Sequence, residues 1–138
     1  MRILGLDIGT KRIGVALSDM LMITAQGLET IERTELARDL DVIKKLVEEN
    51  SVGEIVAGLP LNMNGTYSQQ TTEVVAFIEE LAKVVGVPVK KWDERLTSRQ
   101  AERIMLEGDL SRRKRKYLSD KIAAQLILQS YLGTVKKG

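Results

Sequence analysis

The chain has 138 residues, of which 43% are hydrophobic and 29% are charged, with a net charge of +2. This length predicts a single domain over residues 1–138 with a substantial core, too short for two nucleotide-clasping lobes. The chain contains no Cys and no His, which excludes disulfides, thiol nucleophiles, Cys/His zinc sites and imidazole bases, and leaves carboxylates, lysines, hydroxyls or a hard cation for any catalysis.

The first predicted element is a β-hairpin. Residues 2–8 and 13–18 predict strands, and "GTKR" between them predicts a turn. Asp7 therefore lies near the end of the first strand, in a run that is otherwise apolar or glycine. Because an unpaired charge taken out of water costs several kcal/mol, Asp7 needs a partner or a function. It also interrupts the only apolar N-terminal stretch, so we expect no signal peptide, no membrane span and a cytoplasmic protein.

The middle of the chain alternates helices and strands. A third strand after the hairpin completes an antiparallel meander, Thr34 is the expected N-cap of the first helix, and Gly86 is expected to end the second. The predicted elements are a strand at 22–32, a helix at 34–50, a strand at 54–59, a helix at 68–85 and a strand at 87–92. The pattern indicates an α/β fold, with one mixed sheet of a three-strand meander plus parallel strands and helices packed on it.

The C-terminal third predicts two helices separated by a basic loop. The spacing of Thr97 and Gln100 matches a capping box for a helix that ends at Gly108, and a final helix is expected over about 117–132. Apolar or small residues and one acid share the face of that helix expected to meet the sheet: Asp120, Ala123, Ala124, Ile127 and Tyr131.

Three carboxylates do not fit a purely structural interpretation. Asp7 and Glu94 stand at the ends of predicted strands, where α/β sheets bind ligands, and Asp120 is expected on the inward face of the last helix. Each has a structural alternative, as a polar turn or a helix-dipole partner. If the three converge, their oxygens form a site suited to Mg²⁺ or Mn²⁺, which can hydrolyse a phosphodiester without an imidazole base.

The basic residues are concentrated near this predicted site. Residues 90–121 contain eleven Lys and Arg against six Asp and Glu. The densest cluster is predicted as a mobile loop that binds phosphate without reading sequence, and the alternative is a solvated loop. The cluster comprises Arg112, Arg113, Lys114, Arg115 and Lys116.

Four motifs, "LDIGTKRIGVALSD", "GLPLNMNG", "DERLTS" and "SDKIAAQLILQSYL", resemble in order and spacing the YqgF family of bacterial RNase-H-like nucleases, which are also described as candidate Holliday junction resolvases. The resemblance implies an RNase-H-like fold, a two-metal site of Asp7, Glu94 and Asp120, and maturation of the 5′ end of precursor 16S ribosomal RNA. It also implies nucleic acid, and ribosomal particles, as partners. Lys11, Arg12 and Arg95 are the expected phosphate contacts. Asn62 and Gly65 are expected to shape a loop that borders the site, and Asn62 is also expected to bind the substrate.

Two other classes of function stay open at this stage. "DIGT" also resembles the first phosphate loop of actin-like and sugar-kinase ATPases, although those proteins hold the nucleotide between two domains. A non-catalytic RNA-binding assembly factor would need only the basic segment. Within the nuclease class, the residues do not distinguish ribosomal RNA from a DNA junction, and a junction resolvase would need two sites in a symmetric dimer.

Overall fold

A computed structural model describes residues 1–95 and 112–135, with side chains for all of these except 112–121 and 135. The predicted helix with the Thr97 to Gln100 capping box and its end at Gly108 lies outside the described residues. The strands are β1 (Arg2–Ile8), β2 (Arg12–Ser18), β3 (Ala25–Glu32), β4 (Val52–Leu59) and β5 (Val89–Asp93), and the helices are α1 (Leu36–Glu49), α2 (Gln69–Val85) and α3 (Arg112–Val135).

The five strands form one mixed sheet in the order β3-β2-β1-β4-β5. β1, β2 and β3 pair antiparallel, as expected for a meander. β4 pairs parallel to β1, and β5 pairs parallel to β4. The predicted architecture is therefore confirmed, and β1 lies at the centre of the sheet with β4 beside it.

The residues of β1 alternate between the two faces of the sheet, as the twofold period of a strand requires. Leu4, Leu6 and Ile8 are buried in a core shared with α1 and α2. Ile3 belongs to a second core built against α3. Asp7, four positions after Ile3, therefore lies on the α3 face of the sheet.

Glycine allows α3 to pack closely on the centre of the sheet. A Cβ added to Gly5 would stand 2.8 Å from Leu128 Cβ and 3.2 Å from the Ala124 carbonyl oxygen. The expected inward face of the last helix is confirmed for Ala124, Ile127 and Tyr131, all of which are buried. The close approach depends on Gly5 as well as on the small Ala124.

Two local predictions were wrong. The segment Arg112–Lys116, expected as a loop, forms the start of α3, because Arg and Lys favour helices and no Gly or Pro interrupts the segment. Thr34 does not cap α1, whose N-cap is Glu35. Instead, the Thr34 N–H and hydroxyl donate to the buried Asp39 carboxylate over 3.1 and 3.4 Å.

The boundaries of α2 follow the expected signals. Ser68 caps its N-terminus through a reciprocal capping box with Thr71, and Gly86 ends it in the left-handed conformation, with a φ of 72°. This start places the first turn of α2 directly after the loop that follows β4, on the side of the sheet where β1 ends.

Candidate active site

Asp7 and Glu94 meet on the α3 face of the sheet. Asp7 lies in β1 and Glu94 directly follows β5. Both strands flank β4, so two inter-strand spacings of about 4.8 Å separate their backbones. Between them β4 presents Gly58, which pairs with Trp92 of β5. A Cβ on Gly58 would collide with the Glu94 carboxylate and would stand 2.5 Å from Ile127 Cδ1. The missing side chain therefore leaves the space in which the two carboxyl groups come together.

The contact between these carboxyl groups changes the protonation of Glu94. Its pKa is raised from the ordinary 4.5 to about 8, first by burial, then by the charge of Asp7, a hydrogen bond with Asp7 and the charge of Asp93. Burial and the neighbouring Asp7 charge therefore favour the protonated form of Glu94 when no metal is bound. Like charges this close cannot both ionise cheaply in a desolvated place, and a cation would relieve that conflict.

The backbone of residue 120 lies towards the same end of the sheet. Tyr131 of α3 contacts Glu54, which is level with Ile3 at the start of β1. Since Ala124 lies over Gly5, α3 runs from the Asp7 end of β1 towards its Ile3 end. Residue 120 precedes Ala124 by about 6 Å of helix rise, close to the distance that separates Gly5 from Asp7 along β1.

A cleft of about 280 Å³ opens beside the two carboxylates. The turn between β1 and β2 forms much of its wall. Of the predicted phosphate contacts, Lys11 lies in this turn and Arg12 is the first residue of β2. Arg12 also pairs with Glu32, with 3.6 Å between Nε and Oε1. The structure thus brings two of the expected basic residues next to Asp7. The cleft is lined by Asp7, Ile8, Gly9, Thr10, Lys11, Arg12, Gln70 and Glu94.

Thr10 and Gln70 line the cleft but were not predicted as site residues. Thr10 stands inside the quoted "DIGTKR" motif, so its place in the turn was a usable signal. Gln70 belongs to the first turn of α2, sixty positions after Thr10 along the chain. Nothing in the local sequence shows that this turn reaches the end of β1. Gly58 was missed for the same reason, because its role depends on strand order.

Asn62 and Arg95 lie outside the residues that line the cleft and organise the loop that follows β4. Asn62 Nδ2 donates to Thr66 Oγ1 over 3.0 Å, and the Asn62 carbonyl accepts from the N–H of Gly65, whose φ is 85°. The Arg95 guanidinium binds Asp93 and donates to the Met63 carbonyl over 3.1 Å. Asn62 and Gly65 thus hold the conformation of this loop, whereas the substrate contacts predicted for Asn62 and Arg95 stay predictions.

Metal binding is compatible with the donors at this site. Within residues 1–95 and the described side chains of α3, no group of three His, Cys, Asp or Glu side chains forms a metal cluster. Asp7 and Glu94 nevertheless supply carboxylate oxygens, the ligands that Mg²⁺ and Mn²⁺ prefer, and a cation would offset the repulsion between the two groups when both are ionised. The side chains of Asp120 and of the basic segment 112–116 are not described, so their roles stay predictions.

The sequence of this chain matches a known protein family and is similar to proteins of two bacteria. Residues 1–134 match the RuvX family, described as Holliday junction resolvase. The chain is 54% identical over 135 residues to a protein of Clostridium acetobutylicum, covering 98% of this chain and all of that protein. It is 51% identical to one of Carboxydothermus hydrogenoformans, covering 99% of both. Both relatives are named as candidate pre-16S rRNA nucleases.

Solved structures with the same fold are more distant in sequence. Thermus thermophilus RuvC, in complex with Holliday junction substrate, superposes with a TM-score of 0.61 at 18% identity over 97% of both chains. The fowlpox virus Holliday junction resolvase gives 0.60 at 12% identity, over 98% of this chain and 99% of that one. At these identities the likeness establishes the RNase-H-like fold. Among the described residues, no helix is long and apolar enough to cross a membrane.

Proposed function

The chain belongs to the RuvX family, also called YqgF, and on that premise we propose that it is a metal-dependent endonuclease that hydrolyses phosphodiester bonds of nucleic acid. The observation that carries the proposal is the contact between Asp7 and Glu94 over Gly58, beside a cleft bordered by Lys11 and Arg12. A purely structural role gives no reason to bury two carboxyl groups against each other.

Asp7, Glu94 and Asp120 are the proposed ligands and catalytic residues. A bound Mg²⁺ or Mn²⁺ pair would supply charge stabilisation and an activated water at neutral pH, which suits a chain without His. The protein itself would hold Asp7 and Glu94 in place, and a cation would bind to their oxygens as Glu94 releases its proton. Lys11 and Arg12 on the rim would attract the phosphate backbone and offset its charge near the carboxylates.

We place precursor ribosomal RNA first among the substrates. The similar proteins from Clostridium acetobutylicum and Carboxydothermus hydrogenoformans carry that activity in their names, and they match this chain over nearly its whole length. The proposed reaction is processing of the 5′ end of precursor 16S rRNA, in the cytoplasm and in contact with ribosomal particles. A four-way DNA junction is the second candidate, because the family is described by that activity.

The test is to incubate the purified protein with precursor 16S rRNA and, separately, with a four-way DNA junction. Each reaction is run with Mg²⁺, with Mn²⁺ and with EDTA. We expect metal-dependent cleavage of the RNA near its mature 5′ end and no cleavage in EDTA. Cleavage of the junction alone would favour the resolvase. Cleavage of neither, with metal-independent RNA binding, would favour a binding factor, and stabilisation by ATP would favour the nucleotide-binding alternative.

A further inference from the structure

Arg33, which follows β3, contacts the β1–β2 turn at two points. Its backbone N–H donates to the Lys11 carbonyl over 2.9 Å. Its guanidinium Nη1 donates to the Gly9 carbonyl, also over 2.9 Å. Across the turn itself, the Gly9 N–H donates to the Arg12 carbonyl over 3.0 Å. Arg33 therefore binds two carbonyls of the turn, although it is not among the residues that line the cleft.

Arg33 is itself fixed from two directions. Its Nε lies 3.4 Å from Oδ2 of Asp39, a residue only 2% exposed. Its guanidinium carbon stands 5.1 Å from the centre of the Phe77 ring, in a cation–π contact. Asp39 belongs to α1 and Phe77 to α2, so the side chain connects both helices to the turn.

The turn held in this way is the part of the cleft that carries positive charge. Lys11 and Arg12 line the cleft together with Asp7 and Glu94. In a trans peptide the carbonyl and the following N–H point in opposite directions, so fixing the Gly9 carbonyl also fixes the direction of the Thr10 N–H. A change in the turn would move the cationic groups relative to the carboxylates.

We propose that Arg33, supported by Asp39, is a positioning residue that holds the β1–β2 turn in the conformation in which Lys11 contacts a nucleic-acid phosphate. The inference rests on the proposed function for its substrate class, but it makes a separate claim about coupling. Arg33 and Lys11 should act on binding as one unit, although their side chains face different surroundings.

The test is a double-mutant cycle read by binding as well as by cleavage. Arg33→Gln, Lys11→Ala and the double variant are titrated with a short fluorescein-labelled single-stranded RNA in EDTA, and the affinity is followed by fluorescence anisotropy. Cleavage of the same RNA in Mg²⁺ is measured separately, well below each melting temperature. We expect Arg33→Gln to weaken binding roughly as much as Lys11→Ala, with little further loss in the double variant. Cleavage should fall roughly 10- to 100-fold.

Arg38→Gln is the matched control, because Arg38 is exposed on α1 near Asp39 and is expected to change neither binding nor cleavage. Asp39→Asn and Arg33→Lys serve as second variants should Arg33→Gln fold poorly, and both should show the same non-additivity with Lys11→Ala. Independent, multiplicative effects of Arg33 and Lys11 would overturn the proposal, as would unchanged binding in Arg33→Gln. If the wild-type protein cleaves nothing while the coupling in EDTA persists, the nuclease proposal fails and the positioning role stands.

Discussion

The two faces of the sheet are built from the same strands but carry different side chains. On the face that meets α1 and α2, β1 places Leu4, Leu6 and Ile8 in a continuous apolar core. On the face that meets α3, the same strand places Ile3, Gly5 and Asp7, so the pattern passes from apolar to small to acidic. Stability is concentrated on the first face, and the candidate chemistry lies at one end of the second.

Neighbouring strands show the same change along the α3 face. Val56 of β4 is buried against α3, whereas Gly58, two positions later, opens the space over which Asp7 and Glu94 meet. Along β5 and the residue that follows it, the order is Lys90, Trp92 and then Glu94. The candidate site therefore lies where the apolar residues beneath α3 end. On the other face of the sheet, the apolar core against α1 and α2 continues behind the site.

The largest expected difference in cleavage is between variants of Asp7 and of its neighbour Leu6, whose side chain lies on the opposite face of the sheet. Asp7→Asn should abolish cleavage, by roughly 1,000-fold or more, while leaving the metal-free protein as stable as the wild type or slightly more stable, because it removes a charge conflict. Leu6→Ala should cost about 2 to 5 kcal/mol of stability, because Leu6 is fully buried. Melting temperature in EDTA and cleavage rate in Mg²⁺ are measured for both.

Asp120→Asn belongs in the same series, since Asp120 is the third proposed ligand. It should also abolish cleavage with little change of melting temperature in EDTA. A strongly destabilised Asp7→Asn protein that still cuts would show that Asp7 holds the β1–β2 turn and is not a catalytic residue.

The next largest effect concerns the space over Gly58. Gly58→Ala should lower the free energy of unfolding by about 1 to 3 kcal/mol and reduce cleavage roughly 100-fold, because the added Cβ displaces Glu94 and Ile127. Gly133→Ala, in α3 with nothing within 4 Å of the added Cβ, is the control and should stabilise by about 0.5 to 1 kcal/mol. Equal activity of the two variants would contradict the proposed role of Gly58.

The third prediction compares the salt dependence of binding after changes in two places. One is the basic segment at the start of α3, and the other is a set of basic residues on α1, which packs on the opposite face of the sheet. Replacing Arg112, Arg113 and Lys114 with Gln should lower the slope of log affinity against log salt by about 2 to 3, for RNA and DNA alike. The helix should persist, since Gln is a good helix former. The same replacement of Arg38, Lys44 and Lys45 on α1 should leave the slope unchanged. Equal effects at both places would make the segment an ordinary solvated surface.

The smallest expected change concerns stability without metal. The pKa of Glu94 is about 8 in the folded protein against an ordinary 4.5, so between these pH values the folded state binds a proton that the unfolded state does not. The free energy of unfolding therefore falls as pH rises from about 4.5 to about 8. Glu94→Gln should remove that dependence and should unfold at a higher urea concentration than the wild type at pH 8. Urea unfolding in EDTA at pH 5 and pH 8 measures it.

Much of the fold could be predicted because its signals are local. Alternating and continuous apolar runs identified all five strands, and Ser68 and Gly86 marked the ends of α2. The start of α3 was misplaced because a run of Arg and Lys suits a solvated loop and an exposed helical turn equally well. Thr34 has the side chain and the position of an N-cap, but it donates to Asp39, and the burial of Asp39 depends on tertiary packing.

The site could be predicted only in part for a related reason. Asp7 and Glu94 stood out as carboxylates at strand ends, and the resemblance supplied their common purpose. Gly58, Gln70 and Arg33 contribute through strand order and helix packing, which no short stretch of sequence specifies. Gly58 has its role because β4 lies between β1 and β5, whereas Gln70 and Arg33 lie beside the β1–β2 turn.

The most direct test of the central claim is calorimetric titration of Mn²⁺ into metal-free wild-type protein, Asp7→Asn and Leu6→Ala at pH 7. The claim is that the α3 face, and not the apolar face behind it, holds the metal through Asp7 and Glu94. We predict that Asp7→Asn weakens Mn²⁺ binding at least about tenfold, since losing even a group that only orients a metal ligand costs about 10- to 100-fold, while folded Leu6→Ala binds as the wild type does. Equal affinity in Asp7→Asn and the wild type would contradict the account.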